Sequence, residues 1–307
     1  MTLCEKITEL FPVRKSQQQK KTFRQWVTAE IAGMGYSVRV EQNDRGRQQN
    51  IVVGDPEHAL VTYTAHYDTP STILLPDLQI PRNYPVYLLW QLGMVGGMLL
   101  LSLLAGAALG LITKNGNVMI LGFFGAFVAL MWLQLNGFAN PNNVNDNTSG
   151  VAALLETMAR IPQEHRSKVA FILFDNMEKG RRGSRAYARD HLEMQHTRFV
   201  VNADSVGVGD VFLVSAPSLA LQLPQYAKLE QALSALPDKQ ARFHSSVTTR
   251  GNSDFRSFKC GVGITAYRQV SGIGLYLGDL HTRRDDRAEQ ENIEALAAAF
   301  STLAAQL

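Results

Sequence analysis

Six side chains stand where an α/β chain puts its chemistry, at strand ends and loop-to-helix junctions: His66, Asp68, Asp146, Glu178, Asp204 and His281. His66 closes the apolar run VTYTAH, and Asp68 follows two residues on. That spacing suits a metal-ligating imidazole whose other ring nitrogen is held by a carboxylate. Asp146 lies in the polar loop NPNNVNDNTSG, which leads into an amphipathic stretch; it reads equally as a helix N-cap, with Asn147 and Thr148 competing for that place. Glu178 follows the apolar run KVAFILF and precedes Gly180 and Gly183, Asp204 ends VVNAD, and His281 sits in GDLHTRRDD. Each alone occurs often by chance. Together they offer nitrogen and oxygen ligands without sulfur, which suits two borderline-hard divalent ions sharing a bridging carboxylate. Two such ions about 3.5 to 4 Å apart polarise a carbonyl and generate a hydroxide nucleophile.

The motifs AHYD, VNDNTSG, MEKGRRGS, NADSVG, GNSDFRSF and LHTRRD stand in one order over residues 60 to 300, and in this the chain resembles the M28 zinc aminopeptidases. The resemblance implies a mixed β-sheet flanked by helices and a site with two zinc ions per chain that releases amino-terminal residues from peptides. Carried over motif by motif, it implies that His66 and Asp204 hold one zinc, Glu178 and His281 the other, with Asp146 bridging both and Asp68 orienting His66. Ser253 and Asp254 match a segment that lies near the substrate pocket in that family, and Asp254 reads equally as a turn residue. One position departs from the family. Where the family has two consecutive glutamates before xGxxGS, the first a general base and the second a ligand, alignment on Gly180, Gly183 and Ser184 puts Met177 at the base position and Glu178 at the ligand position. A thioether cannot take a proton, and losing a positioned base costs roughly 10² to 10⁴-fold in rate. Asp175, two residues back, is a candidate substitute if the strand continues that far. Arg181 also replaces a residue that is usually apolar.

These residues need a scaffold. Short β-rich runs alternate with longer amphipathic stretches, the pattern of an α/β domain. Helices are expected over Gln17 to Met34, Thr148 to Ile161, Gly183 to Leu192, Ser218 to Ala235 and Ala288 to Leu307. Strands are expected over Asn50 to Val53, Leu60 to Ala65, Lys168 to Phe174, Phe199 to Ala203, Asp210 to Ser215 and Val262 to Tyr267. No internal repeat or linker divides the soluble part.

Val86 to Ile112 is a run of 27 residues without Lys, Arg, Asp, Glu or His, and Val118 to Phe138 a second of 21, joined by TKNGN. At 1.5 Å per residue the first reaches roughly 40 Å, enough for a hydrocarbon core of about 30 Å. The expectation is a transmembrane helical hairpin, 86–138, inserted in a single peptidase-like domain made of 1–85 and 139–307. Gly93 with Gly97, Gly106 with Gly110, and Gly122 near Gly125 favour close packing, and Trp90 and Trp132 suit an interface. Buried core helices are the alternative, although runs this long and apolar are rare in soluble cores. The polar start MTLCEKITELFPVRKSQQQKK has no signal-peptide pattern, so both ends are expected in the cytoplasm and the turn outside. Charge counting adds little: Arg82 precedes the first span, Lys114 sits in the turn, and no Lys or Arg directly follows the second.

Composition bounds the rest. With 46% hydrophobic and 19% charged residues, the 307-residue chain is neither disordered nor low in complexity, and a net charge of +3 gives no argument for nucleic acid. Cys4 and Cys260 are far apart and suit ordinary reduced thiols. His58, His165, His191, His196 and His244 lack a ligand-like setting, and Glu289, Glu291 and Glu294 read as a solvated helix face. The expected partners are a peptide substrate and membrane lipid around the hairpin. The leading reading is a membrane-anchored metallo-aminopeptidase. The competing ones are a catalytically inactive relative that keeps its metal for binding, and a related zinc carboxypeptidase or deacylase.

Overall fold

Thr2 and Ser16 each accept the backbone N–H three residues on, while Glu5 and Gln19 reach back to the caps. This reciprocal pairing satisfies donors that a helix start leaves open. It begins α1 (Leu3–Leu10) and α2 (Gln17–Gly33). The structure, a computed structural model, describes every residue except 74, 77 and 250. β1 (Val38–Asn43) and β2 (Gln48–Val53) form a hairpin turning through Asp44, Arg45 and Gly46, all with positive φ. β3 (Val61–His66) and the short β4 (Ser71–Thr72) precede two long helices, α3 (Tyr84–Thr113) and α4 (Gly116–Asn136), after which β5 (Phe138–Ala139) pairs back onto β4. Then come α5 (Gly150–Arg160), β6 (Val169–Phe174), α6 (Arg182–Asp190), α7 (Leu192–His196), β7 (Val200–Ala203) and β8 (Val211–Ala216). The chain ends with α8 (Ser218–Leu221), α9 (Pro224–Ser234), β9 (Gln240–Ser245), β10 (Gly261–Val270), β11 (Gly274–Tyr276) and α10 (Gln290–Gln306).

One mixed sheet runs β1-β2-β6-β3-β7-β10-β8-β9, with β11 on β10. Its centre, β6, β3, β7 and β10, is parallel, while β2 and β8 join it antiparallel. β3, β6 and β7 are buried throughout, as parallel strands covered on both faces must be. Alternation along β6 assigns the faces. Phe171 and Leu173 pack in the large core with Phe23, Leu154 and Phe300, whereas Ile172 and Phe174 pack in the smaller core with Tyr187 and Phe258. The mixed α/β sheet expected from the sequence is the one observed.

The differences have local causes. The helix expected over Ser218 to Ala235 is two, because Pro224 cannot donate into a continuing helix and instead opens α9 at its first position. α5 begins at Gly150 rather than Thr148, after an irregular turn over Val144–Ser149. Sequence analysis passed over α1, β1 and β9: α1 is only eight residues long, although Leu3, Ile7 and Leu10 keep a helical period, and β1 and β9 are only partly buried. Cys4 and Cys260 are buried free thiols.

α3 and α4 are both long and apolar enough to cross a membrane, with mean hydropathy 2.2 and 2.1. Little of either is covered by protein: Leu111 is 80% exposed and Leu121 72%. They touch each other closely. A Cβ added at Gly106 would lie 2.6 Å from the Met119 carbonyl oxygen, and one at Gly122 2.7 Å from Leu109, whereas Gly93 and Gly97 face open space. The connection is shorter than TKNGN, because only Lys114 and Asn115 are non-helical, with Lys114 left-handed and Asn115 capping α4. Phe138, counted in the second apolar run, lies past the helix in β5.

Candidate metal centre

Four of the six chemical side chains sit at or just past the carboxyl ends of neighbouring parallel strands. His66 is the last residue of β3 and Asp68 lies two residues past it, Glu178 lies in the turn after β6, and Asp204 directly follows β7. Asp146 comes from the turn before α5, and His281 from the loop before α10. Each placement has a local reason. Asn147, not Asp146, binds the turn into α5, its Oδ1 accepting from the Gly150 N–H at 3.1 Å and from the Ser205 N–H at 3.1 Å. Asp146 is thereby left to face the site. Asp285 accepts the Asn145 N–H at 2.7 Å and the Asp146 N–H at 3.0 Å, pinning the same turn. At Gly183 the start of α6 comes so close to the end of β6 that a Cβ would lie 2.1 Å from the Asp175 carbonyl oxygen.

The side chains converge in two triads. His66 Nε2 is 3.3 Å from Asp146 Oδ1 and 3.6 Å from Asp204 Oδ1. His281 Nε2 is 2.9 Å from Asp146 Oδ2 and 3.6 Å from Glu178 Oε2. Within each triad the ligand atoms lie inside 4.8 Å of one another, and Asp146 belongs to both. His66 Nε2, Asp146 Oδ1 and Glu178 Oε1 are shut off from solvent without a hydrogen-bond partner among the described residues. Buried polar atoms left in that way are costly unless a cation joins them. This, with a donor set of imidazole and carboxylate, fits divalent metal such as zinc.

The electrostatics agree. Burial pushes the Glu178 carboxyl up to about 8, against the pull of His281 and with the negative charge of Asp146 adding to it. Burial alone would also raise Asp146, but the two imidazoles outweigh it and hold that carboxyl well below the usual range. His66, which burial would lower, is raised well above its ordinary value by Asp146, Asp204 and Asp68.

Around the triads lies a layer that holds them. Ser253 donates to Asp204 Oδ2 and accepts from Asn202 Nδ2 at 2.7 Å, and Thr64 donates to Asn202 at 2.8 Å. Asp68 acts differently from the expected clamp. The carbonyl oxygen of Asp68 lies nearest His66 Nδ1, at 3.1 Å, and its carboxylate is 3.6 Å off. That carboxylate instead accepts the Met177 and Glu178 N–H groups at 2.9 and 3.2 Å, fixing the turn that carries Glu178. Met177 does lie at the site and lines its pocket with Glu178. Asp175 is no substitute base: β6 ends at Phe174, and the Asp175 carboxylate is buried against Lys20 Nζ at 2.6 Å and the Gln49 N–H at 3.1 Å. Arg14, fully buried, reaches the Tyr67 carbonyl at 2.6 Å, Thr148 at 2.8 Å and Asn143 at 3.2 Å, tying the N-terminal segment to both ligand loops. Sequence analysis missed Asp285, Arg14 and Lys20 as supports; Asp285 alone had a signal, the acid closing HTRRD.

A cavity of about 640 Å³ opens onto the triads. Its lining combines the apolar Leu213, Phe255 and Tyr267 with polar side chains such as Ser215, Thr249 and Arg256, and it includes Gln79 to Pro81 and Tyr87, at the entry to α3.

A family model described as Peptidase family M28 matches residues 136–306, just over half of the chain. Among solved structures, the LapA aminopeptidase of Legionella pneumophila is similar at TM-score 0.60 and 12% identity, covering 98% of this chain and 69% of its own. A glutaminyl cyclase of Porphyromonas gingivalis matches at TM-score 0.58 and 14% identity, over 99% of this chain and 96% of its own. A leucine aminopeptidase precursor of Bacteroides thetaiotaomicron matches at TM-score 0.58 and 14% identity, over 98% and 93%. At these identities the likeness is one of fold. No curated protein sequence matches.

Proposed function

From the premise that the chain belongs to peptidase family M28, we propose that it is a membrane-anchored metallo-aminopeptidase-like hydrolase whose proton-accepting position is occupied by Met177. The observation that carries the reading is the pair of triads sharing Asp146, with their orphaned buried nitrogen and oxygen atoms. His66 and Asp204 would hold one ion, Glu178 and His281 the second, and Asp146 would serve both. When bound, two such ions polarise a peptide carbonyl and acidify water. The chain's own residues do the rest. The cavity, apolar at Leu213, Phe255 and Tyr267, takes the amino-terminal side chain, Ser253 keeps Asp204 turned to the site, and Asp285 and Asp68 hold the turns of Asp146 and Glu178.

Anchoring is supported by α3 and α4, whose apolar side chains face outward over helices of 30 and 21 residues. Because the cavity lining includes Ile80, Pro81 and Tyr87, where α3 begins, the reading puts the cavity near the bilayer surface. Peptides carrying an apolar amino-terminal residue, presented close to the membrane on its cytoplasmic side, are the substrate class this favours.

Met177 also favours a second reading, a family member that keeps metal and binds peptides without cleaving them. One experiment separates the two. Metal content and hydrolysis of a panel of aminoacyl amides are measured on the wild-type chain and on Met177→Glu. Two metals per chain, with kcat/KM rising by roughly 10² to 10⁴-fold in the glutamate variant, is the expected result. Two metals and no hydrolysis by either form would favour the binding protein, and no metal at all would remove both readings.

A further inference from the structure

Beside the catalytic cavity lies a second groove of about 1050 Å³ with a different character. Lys179, Arg181, Arg182, Arg185 and Arg189, all from one stretch of chain, line it with Arg47 and Arg256, and Asp44 is the sole carboxylate in its described lining. Part of the positive charge is spent inside the protein: Arg189 pairs with Asp190 at 3.2 Å, and Arg256 donates to the carbonyl oxygens of Ser246 and Thr249. The side chains of Arg47, Lys179, Arg182 and Arg185 have neither a hydrogen bond nor an ion pair among the described residues, and Arg181 Nε and Nη1 are buried without a hydrogen-bond partner. Cations without partners lining one groove repel, and an anionic partner would relieve that.

The groove's place in the fold says which anion. Gln17, at its edge, is two residues from Lys15, whose ammonium donates to the carbonyl oxygen of Asn136 at 3.1 Å, the last residue of α4. Lys15 is near enough to Lys179 to feel its charge. The cationic surface therefore starts at the foot of the helical hairpin, the level at which lipid phosphates lie when the hairpin is in a bilayer. Helix ends facing the cytoplasm ordinarily carry Lys and Arg in the flanking sequence, and none directly follows α4. Here the cations arrive from residues distant in sequence.

We propose that this groove seats the phosphate headgroups of anionic lipids in the leaflet from which α3 and α4 enter the membrane. Bound there, the lipids hold the domain against the cytoplasmic face. The inference rests on the reading that the two helices span the bilayer, so the experiment separates the two. The full chain is first expressed and its membranes washed with alkaline carbonate. Release of the chain would overturn the spanning reading and this inference together. With the chain retained, it is purified in neutral detergent and titrated with phosphatidylglycerol or phosphatidylcholine, bound lipid being counted by native mass spectrometry.

The expected result is at least about tenfold tighter binding of phosphatidylglycerol, weakening as salt rises from about 50 to about 500 mM. The Arg47→Glu/Arg182→Glu/Arg185→Glu variant, all at exposed positions, should bind it about a hundredfold more weakly. A glutamine triple variant, expected to lose less, serves if the reversals fail to fold. Equal binding of both lipids, or a preference that survives the substitutions, would overturn the groove while leaving the anchor intact. So would a rise in KM confined to acidic peptides with lipid preference unchanged, which would make the groove a peptide site.

Discussion

Asp285 supports the centre without belonging to either triad, and burial pushes its carboxyl up to about 7, with the charge of Asp146 adding to this. The two backbone N–H groups it accepts hold the Asp146 turn. Replacing it by Asn leaves one of those bonds without an acceptor, and such supports typically contribute 10 to 100-fold in metal affinity. Asp285→Asn is therefore expected to weaken metal binding by that factor in competition with a chromophoric chelator; unchanged affinity would mean that the turn holds itself. Asp254 has a different signature. Burial, with Asp204 and Asp68 adding and His66 opposing, pushes its carboxyl from 3.8 up to about 7. A carboxyl raised by folding contributes stability that is fully present below the unfolded value and is lost as pH rises through the folded one. The window is thus pH 4 to 7. In chelator, Asp254→Asn should match the wild type near pH 4 and become the more stable of the two by pH 8, by about 1 to 4 kcal/mol. Thermal midpoints at the two pH values check this, and a constant difference would contradict it.

The helical hairpin makes an argument from glycine alone. In lipid there is no hydrophobic drive between helices, so close backbone approach at small residues does the pairing. Gly106 and Gly122 are at the α3–α4 contact, and Gly93 is not. Gly106→Val should lower the thermal midpoint of the full chain in detergent by several degrees, while Gly93→Val should leave it unchanged. Equal effects at both positions would mean that the helices pair by some other surface. In the soluble part, the turn before α5 shows the same economy of position. Asn147 accepts the Gly150 N–H at the start of α5, and the Asp146 carboxylate faces the two imidazoles instead.

At the scale of the molecule, the hairpin is inserted between two residues that meet at one centre, His66 and Asp146. β4 and β5 pair just outside the helices and close the insertion at its base. Replacing 84–136 by a short Gly/Ser loop, which spares that pair, should give a chain that stays in the supernatant after ultracentrifugation and keeps its metal. If it still sedimented with membranes, the anchor would lie elsewhere. Arg14 and Lys20 extend the theme: the first 33 residues, α1 and α2 among them, brace the ligand turns from below, through Thr148 and Asp175.

Local pattern carried much of this in the sequence. The alternation of apolar runs and amphipathic stretches announced a mixed α/β sheet, two uncharged runs announced the long helices, and the types of His66, Asp146, Glu178, Asp204 and His281 announced nitrogen and oxygen ligation. Those properties depend on neighbours a few residues away, so they survive being read in one dimension. What tertiary structure decided depends on contacts across the chain. The order β6-β3-β7 brings the turns of Glu178, His66 and Asp204 side by side. Lys20, 155 positions away in sequence, neutralises Asp175 and turns it from a candidate base into a buried support. The cation absent from the sequence that follows α4 is supplied by Lys15, which the fold brings to the Asn136 carbonyl oxygen at 3.1 Å. Charge acts over ångströms in space, and only the folded chain sets those.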